Sequence, residues 1–286
     1  MRRLVQKVVT LPTAEGRKLH IPGKGRSWTL FVENADSSIP TEISVEHGRD
    51  NSLRASVVLN GIRSSSGSET QLATAEGSVT TAATMAAAAG ECTSTRYSQK
   101  GYKQVDIFKF YVRTYNASYP TGGVARIQDA AATIIGANNG CGITADTGVT
   151  YSYGGTTTRD AYVPNDLATG SCLGDGDGAN VLTFGTLTGG AAATCVYAVG
   201  GNIVTTDTTF SSDISWWTST STTGCSGKRD LLSTATHEIG HSFGLGDLSG
   251  STSDYSTQTM YYVASNCTFH RRSLGSGDVA GLKAIY

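Results

Sequence analysis

Charge is scarce in this chain. Only 16% of its 286 residues are charged, and 22 basic against 23 acidic residues leave a formal net charge of −1. That balance gives no electrostatic case for nucleic acid or an acidic surface as partner. Long apolar runs are missing as well: nothing approaches the roughly 20 residues of a membrane span. The first ten residues, MRRLVQKVVT, are basic but lack the apolar core of a secretory signal, so no signal peptide is visible. No two cysteines stand at C-x-x-C spacing, which argues against a zinc knuckle or a thioredoxin-like motif. Glycine, serine, threonine and alanine dominate instead, the composition of a secreted protein rich in strands and loops. Six cysteines (Cys92, Cys141, Cys172, Cys195, Cys225 and Cys267) all lie from residue 92 onward. An even number scattered among loops points to three disulfides and an oxidising compartment, with free buried thiols as the alternative. Nothing in the sequence argues for an oligomer, and a monomer is expected.

The chain has only five histidines, and two of them fall in one short stretch, His237-Glu-Ile-Gly-His-Ser-Phe-Gly-Leu-Gly-Asp247. The residues before it carry no proline and read as helix. Positions i and i+4 lie on one helix face, so His237 and His241 can grip a single zinc ion. Glu238 then points beside the metal, where it can take a proton from zinc-bound water. Gly244, three residues after His241, suits the left-handed turn that ends a helix. That turn would return Asp247 as a third ligand. Three protein ligands plus an open position for water mark a catalytic rather than a structural zinc site. A bare His-Glu-x-x-His also occurs by chance; the glycine and the ligand-type residue at their spacings are what raise this one above it.

At this point the sequence resembles the metzincin metalloproteases, whose pattern is His-Glu-x-x-His-x-x-Gly-x-x-His followed by a methionine turn. The last position here is Asp247, as in the bacterial snapalysin-like members. Thr257–Tyr262 offers the turn, with Met260 as its methionine. The C-terminal run from Arg272 to Tyr286 looks like the last helix of matrixins, with Asp278 anchoring it against that turn. The resemblance is sharp over 230–286, weaker over 92–229, and absent over 1–90. It implies an α+β catalytic domain with a twisted mixed sheet, an active-site helix and a polypeptide substrate laid along an edge strand at 191–197. It also implies a tyrosine near the oxyanion: Tyr262 by comparison with astacin-like members, Tyr261 by comparison with matrixins, with a wall of the specificity pocket as the alternative for both. One disulfide, Cys225–Cys267, follows from the same comparison, because these residues flank the zinc helix and the turn. A gluzincin is excluded, since no glutamate follows Glu238. Asp254 is the one candidate for a more distant aspartate ligand, and His270 reads as a surface residue. The competing class is a metzincin-like binding module without activity.

Along the chain, residues 1–62 read as a small β-rich module or propeptide, with strands at 28–32, 41–45 and 53–59 and turns at 34–38 and 60–61. It looks like a small β-sandwich or part of one. Residues 63–90 are almost all small or polar and read as a linker, with a short helix over 82–89 as an option. Residues 91–286 form the metallopeptidase-like unit. Strands are expected at 105–112, 148–153, 181–184, 191–199 and 202–206, and helices at 124–135 and 230–243. Gly174–Asn180 spaces its oxygens like a calcium loop but lacks the closing glutamate, so Ca2+ is a possible second ion and an acidic turn the alternative. Neither a matrixin-type cysteine switch nor an astacin-type aspartate switch occurs in 1–90.

Overall fold

The computed structural model describes residues 8–10, 18–33, 41–59, 62–66, 91–113, 119–174, 176–249 and 256–286. The expected turns at 34–38 and 60–61, the optional helix at 82–89, Asp175 and Asp254 lie outside them. Two short strands, β1 (Val8–Thr10) and β2 (Lys18–His20), pair with each other. Then come β3 (Arg26–Glu33), β4 (Glu42–His47), β5 (Leu53–Leu59) and β6 (Ile62–Ser66). The second half brings β7 (Ile107–Arg113), α1 (Gly123–Ile135), β8 (Thr150–Thr157), β9 (Asn180–Gly185), β10 (Ala192–Val199) and β11 (Asn202–Ser211). Two two-residue strands, β12 (Trp216–Trp217) and β13 (Arg229–Asp230), lead into α2 (Leu231–Ser242), and α3 (Ser276–Ile285) closes the chain.

Nine strands form one sheet in the order β6-β5-β4-β3-β10-β11-β9-β7-β8. The strands β11, β9, β7 and β8 run parallel, with α1 as the crossover between β7 and β8, while β10 and everything beyond it are antiparallel. Parallel strands need both faces covered, which is why β9 and the second half of β11 are buried almost throughout. Two expectations change here. The N-terminal strands do not build a sandwich of their own: β3 pairs with β10 over eight residues and extends the same sheet. The stretch from residue 63 is not linker at its start, because β6 runs to Ser66 on the register of β5. The strand expected from Val105 begins only at Ile107, since Asp106 adopts φ 58°, a left-handed conformation that breaks extended backbone.

One face of the sheet packs on α1, α2 and α3 through Phe108, Phe110, Leu182, Phe184 and Phe210, which meet Ile127, Leu231, Ala235 and Ile239. A second core joins β3, β4 and β5 to β10: Trp28, Leu30, Val32, Ile43 and Val57 pack with Leu167, Leu187, Cys195 and Tyr197. The disulfides are Cys92–Cys141, Cys172–Cys195 and Cys225–Cys267, the last being the expected pair.

Asp207 of β11 is fully buried and accepts the backbone N–H groups of Val181 and Tyr162 at 3.1 and 3.3 Å. Burial outweighs these bonds and, with the charge of Asp177, pushes its carboxyl up to about 8. A carboxyl raised on folding binds its proton more tightly in the folded state, so its contribution to stability declines as pH climbs from the unfolded value of about 4 toward 8. Thermal melting of wild type is expected at lower temperature at about pH 9 than at about pH 6, and Asp207→Asn should shrink that difference. An undiminished pH slope in the variant would locate the effect elsewhere.

Candidate metal centre

The helix that carries the two histidines is buried on nearly every side. It starts at Asp230, whose side chain caps it by accepting the Ser233 N–H at 2.8 Å. Arg272 holds that same carboxylate through two guanidinium nitrogens. Leu231, Ala235 and Ile239 turn one face to the core, and His237 and His241 share another. The helix ends as Gly244 takes φ 92°; a Cβ there would lie 2.2 Å from the Tyr102 carbonyl oxygen, so only glycine fits the turn. The chain then folds back and returns Asp247 to the histidines.

The Nε2 atoms of His237 and His241 lie 3.1 Å apart, and Asp247 Oδ1 is 3.2 and 3.5 Å from them. Each Nδ1 faces a backbone carbonyl on the other side of its ring, Thr259 O at 2.9 Å for His237 and Leu245 O at 3.0 Å for His241. A carbonyl only accepts, so with the Nδ1 protons on these two carbonyls both Nε2 lone pairs aim inward. Three electron-pair donors then converge with no proton to share, and neither Asp247 oxygen has a hydrogen-bond partner. Such a group is unfavourable unless a cation sits among it, and two imidazoles with one carboxylate suit zinc. Among the described residues this is the one group of three or more His, Cys, Asp or Glu side chains with metal-ligand proximity.

Burial lowers the His241 imidazole below its ordinary value, keeping it neutral and able to ligate. Glu238 is fully buried, and burial, with the charge of Glu33 next, pushes its carboxyl well above the usual range. Its Oε2 accepts the Thr194 hydroxyl at 2.5 Å, while Oε1 has no partner.

Supporting residues outside the motif fix this geometry. Asp278 of α3 accepts the N–H groups of Thr259 and Met260 at 2.7 and 3.2 Å, holding the segment whose Thr259 carbonyl orients His237. Met260 lies directly under the helix; a Cβ on Gly240 would meet its Sδ at 2.4 Å, so a second glycine makes room for the thioether. The backbone N–H of Tyr262 bonds to Leu248 O at 3.2 Å, and its ring lies 5.2 Å from that of Tyr261. His270 sits half-buried in a 3-10 turn, outside the triad. The calcium expectation is not supported: Asp177 spends its oxygens on the Ala179 N–H and on Arg159, and the Asn180 oxygen takes the Thr206 N–H.

Three residues escaped the sequence reading. Thr194, on β10, orients Glu238. Arg271 is fully buried, bonds Thr259 O at 2.9 Å and brings a guanidinium nitrogen 2.5 Å from His237 Nδ1. Glu33, from β3, holds Arg271 at 2.8 Å; burial raises its carboxyl, but Arg271, His237, Arg229 and the Thr234 hydroxyl together outweigh burial and lower it. Only the run Phe269-His-Arg-Arg272 in a charge-poor chain could have drawn notice to Arg271; nothing local marks Glu33.

Residues 174–286 match a family model described as Matrixin. The match includes the whole donor set and supports a matrixin-type metzincin, a class of zinc metallopeptidases. No curated protein matches the chain.

Removing one of three converging donors should weaken zinc binding at least about 10-fold, whereas Asp247→His retains a nitrogen donor and about one zinc per chain. Metal analysis after dialysis against a graded chelator checks both, and full zinc retention by Asp247→Ala would exclude it as a ligand.

Proposed function

We propose that the chain is a secreted zinc endopeptidase. The observation that carries this reading is the buried convergence of His237 Nε2, His241 Nε2 and Asp247 Oδ1 next to a glutamate with one carboxylate oxygen free. His237, His241 and Asp247 hold the metal in a snapalysin-like set, and the turn around Met260 serves as its floor. When bound, zinc acidifies a water and polarises the scissile carbonyl. Glu238 takes the water proton at Oε1 while Thr194 fixes Oε2, and later delivers it to the leaving amine. Burial raises the Glu238 carboxyl above the ordinary range, which strengthens it as a proton acceptor. Tyr262 donates its hydroxyl to the developing oxyanion. The three disulfides and the absence, among the described residues, of a helix able to cross a membrane are compatible with an extracellular site of action. Polypeptides are the substrates this class implies.

The decisive comparison is casein hydrolysis by wild type and Glu238→Ala, with zinc content determined for each, using both the full chain and a chain cut between residues 66 and 91. Both proteins should hold about one zinc, and the variant should lose roughly 100-fold or more in kcat. Equal activity in the two would remove Glu238 from the mechanism; a zinc-loaded, cut wild type that cleaves nothing would favour the binding-module reading. Tyr262→Phe is expected to lower kcat about 10- to 100-fold with little change in KM. If Tyr261→Phe does so instead, the oxyanion role moves one residue back.

A further inference from the structure

β10, the strand that carries Thr194 beside Glu238, has β11 along one edge, which leaves its other edge as the place where an extended polypeptide could pair next to the histidines. In the folded chain that edge is taken. β3 runs antiparallel to β10 from Ala192↔Glu33 to Val199↔Arg26, with Phe31 directly opposite Thr194. The Phe31 ring stacks on the His241 imidazole, centroids 3.8 Å apart and planes within 6°. Two residues further on, Glu33 pairs with Arg271 at 2.8 Å and lies 3.8 Å from Arg229, with both Glu33 and Arg271 fully buried. Glu42 of β4 ties to Lys100 in a nearly buried ion pair. His237, Glu238 and His241 are consequently at 0% exposure. A site that hydrolyses polypeptides needs room for a backbone at this place, and β3 fills it.

We propose that residues 26–66 are an intramolecular inhibitor, with β3 held as a substrate-like strand on the edge of β10 and Phe31 closing the metal site, so that the chain is latent until it is cut between Ser66 and Glu91. This rests on the endopeptidase reading and adds its regulation. Three features carry it. The pairing uses the same backbone hydrogen bonds that a bound peptide would use. β3 reaches the metal site with a phenyl ring rather than a ligand atom, so it blocks by occupying space and leaves the donor set of 237–247 complete. The residues between the cover and the body, 67–90, contain neither lysine nor arginine, and their alanine, threonine, serine and glycine suit an activating protease that prefers small side chains. A tethered strand competes at an effective concentration on the order of millimolar, which keeps ordinary substrates off. Phe31 also marks the position next to the site as one that takes a large apolar side chain.

The test places a recognition sequence for a specific protease within 67–90 of the full chain, loads it with zinc, and compares it before and after cutting and separation of the N-terminal piece. Casein hydrolysis should rise at least about 100-fold on cutting, and adding back the separated piece should reduce it again. Binding of a zinc-chelating peptide hydroxamate with a phenylalanine side chain is the second readout and does not depend on turnover. The cut protein should bind it and the uncut protein should not. Phe31→Ala in the uncut chain should admit acetohydroxamate, a chelator too small to need the strand edge, while the ion pairs of Glu33 and Glu42 keep β3 in place and the peptide hydroxamate out. An uncut chain that hydrolyses casein as fast as the cut one, or binds the hydroxamate equally well, overturns the inhibitor and leaves the peptidase reading standing. A cut chain that binds the hydroxamate but hydrolyses nothing upholds the cover and sinks the peptidase reading. Failure of the cut, zinc-loaded chain to bind it overturns the cover as the cause of closure.

Discussion

Three lone pairs pointing at one another without a proton between them are the constraint around which the rest of this structure is arranged. In a buried space two imidazole nitrogens and a carboxylate repel unless a cation joins them. The protein keeps them together by using their other sides. In the tautomer that binds a metal each histidine gives its Nδ1 proton to a carbonyl, and each of those carbonyls belongs to a segment that is itself restrained. Thr259 is held by Asp278 from the last helix, and Leu245 follows the glycine turn that also delivers Asp247. The donor set is therefore preorganised by contacts that reach as far as the C-terminal helix. That distinguishes a built site from a chance His-Glu-x-x-His.

The arginine behind His237 adds a second layer. Arg271 places a donor against the same Nδ1 that the Thr259 carbonyl claims, and it also bonds that carbonyl. With the Nδ1 proton on Thr259, Nε2 is free for a metal; with Nδ1 accepting from Arg271, Nε2 would carry a proton toward Asp247 instead. Which tautomer holds depends on where the guanidinium sits. Its position is set by Glu33, which comes from the opposite end of the chain. Two side chains thus run from β3 to the ring of His237.

Much of the site was legible because its signals are local. The spacing of His237 and His241, the glycine at 244 and the aspartate at 247 each have a meaning within one helix and its turn, and the structure brings all of them together. The parallel strands and α1 were legible for a similar reason, from apolar runs and helical spacing over about ten residues. What stayed hidden is non-local. A strand's sequence shows that it has one buried face but not which strand it lies beside, so Trp28–Val32 read equally well as part of a separate sandwich. Its pairing with β10, about 160 residues away, depends on a match between two sheet edges that neither segment shows alone. Glu33 was invisible for the same reason: an acidic residue at a strand end reads as solvated until its arginine partner arrives from residue 271.

That non-local pairing also explains why no latency motif was found in the first 90 residues. A motif is needed where inhibition works by supplying a ligand to the metal, because only a few side chains, chiefly cysteine, histidine and the carboxylates, can do that. Inhibition by strand addition makes no such demand. Most of its affinity comes from backbone groups, and the second core beneath β3 asks only for apolar side chains at alternate positions, as Trp28, Leu30 and Val32 provide. The remaining specificity reduces to one flat ring at the position facing His241 and one carboxylate for a buried arginine. A cover of this kind leaves the donor set whole, so zinc can load before activation. It also ties the fate of the cover to the β10 edge, because once β3 departs, a substrate strand is what can satisfy the N–H and C=O groups it leaves behind.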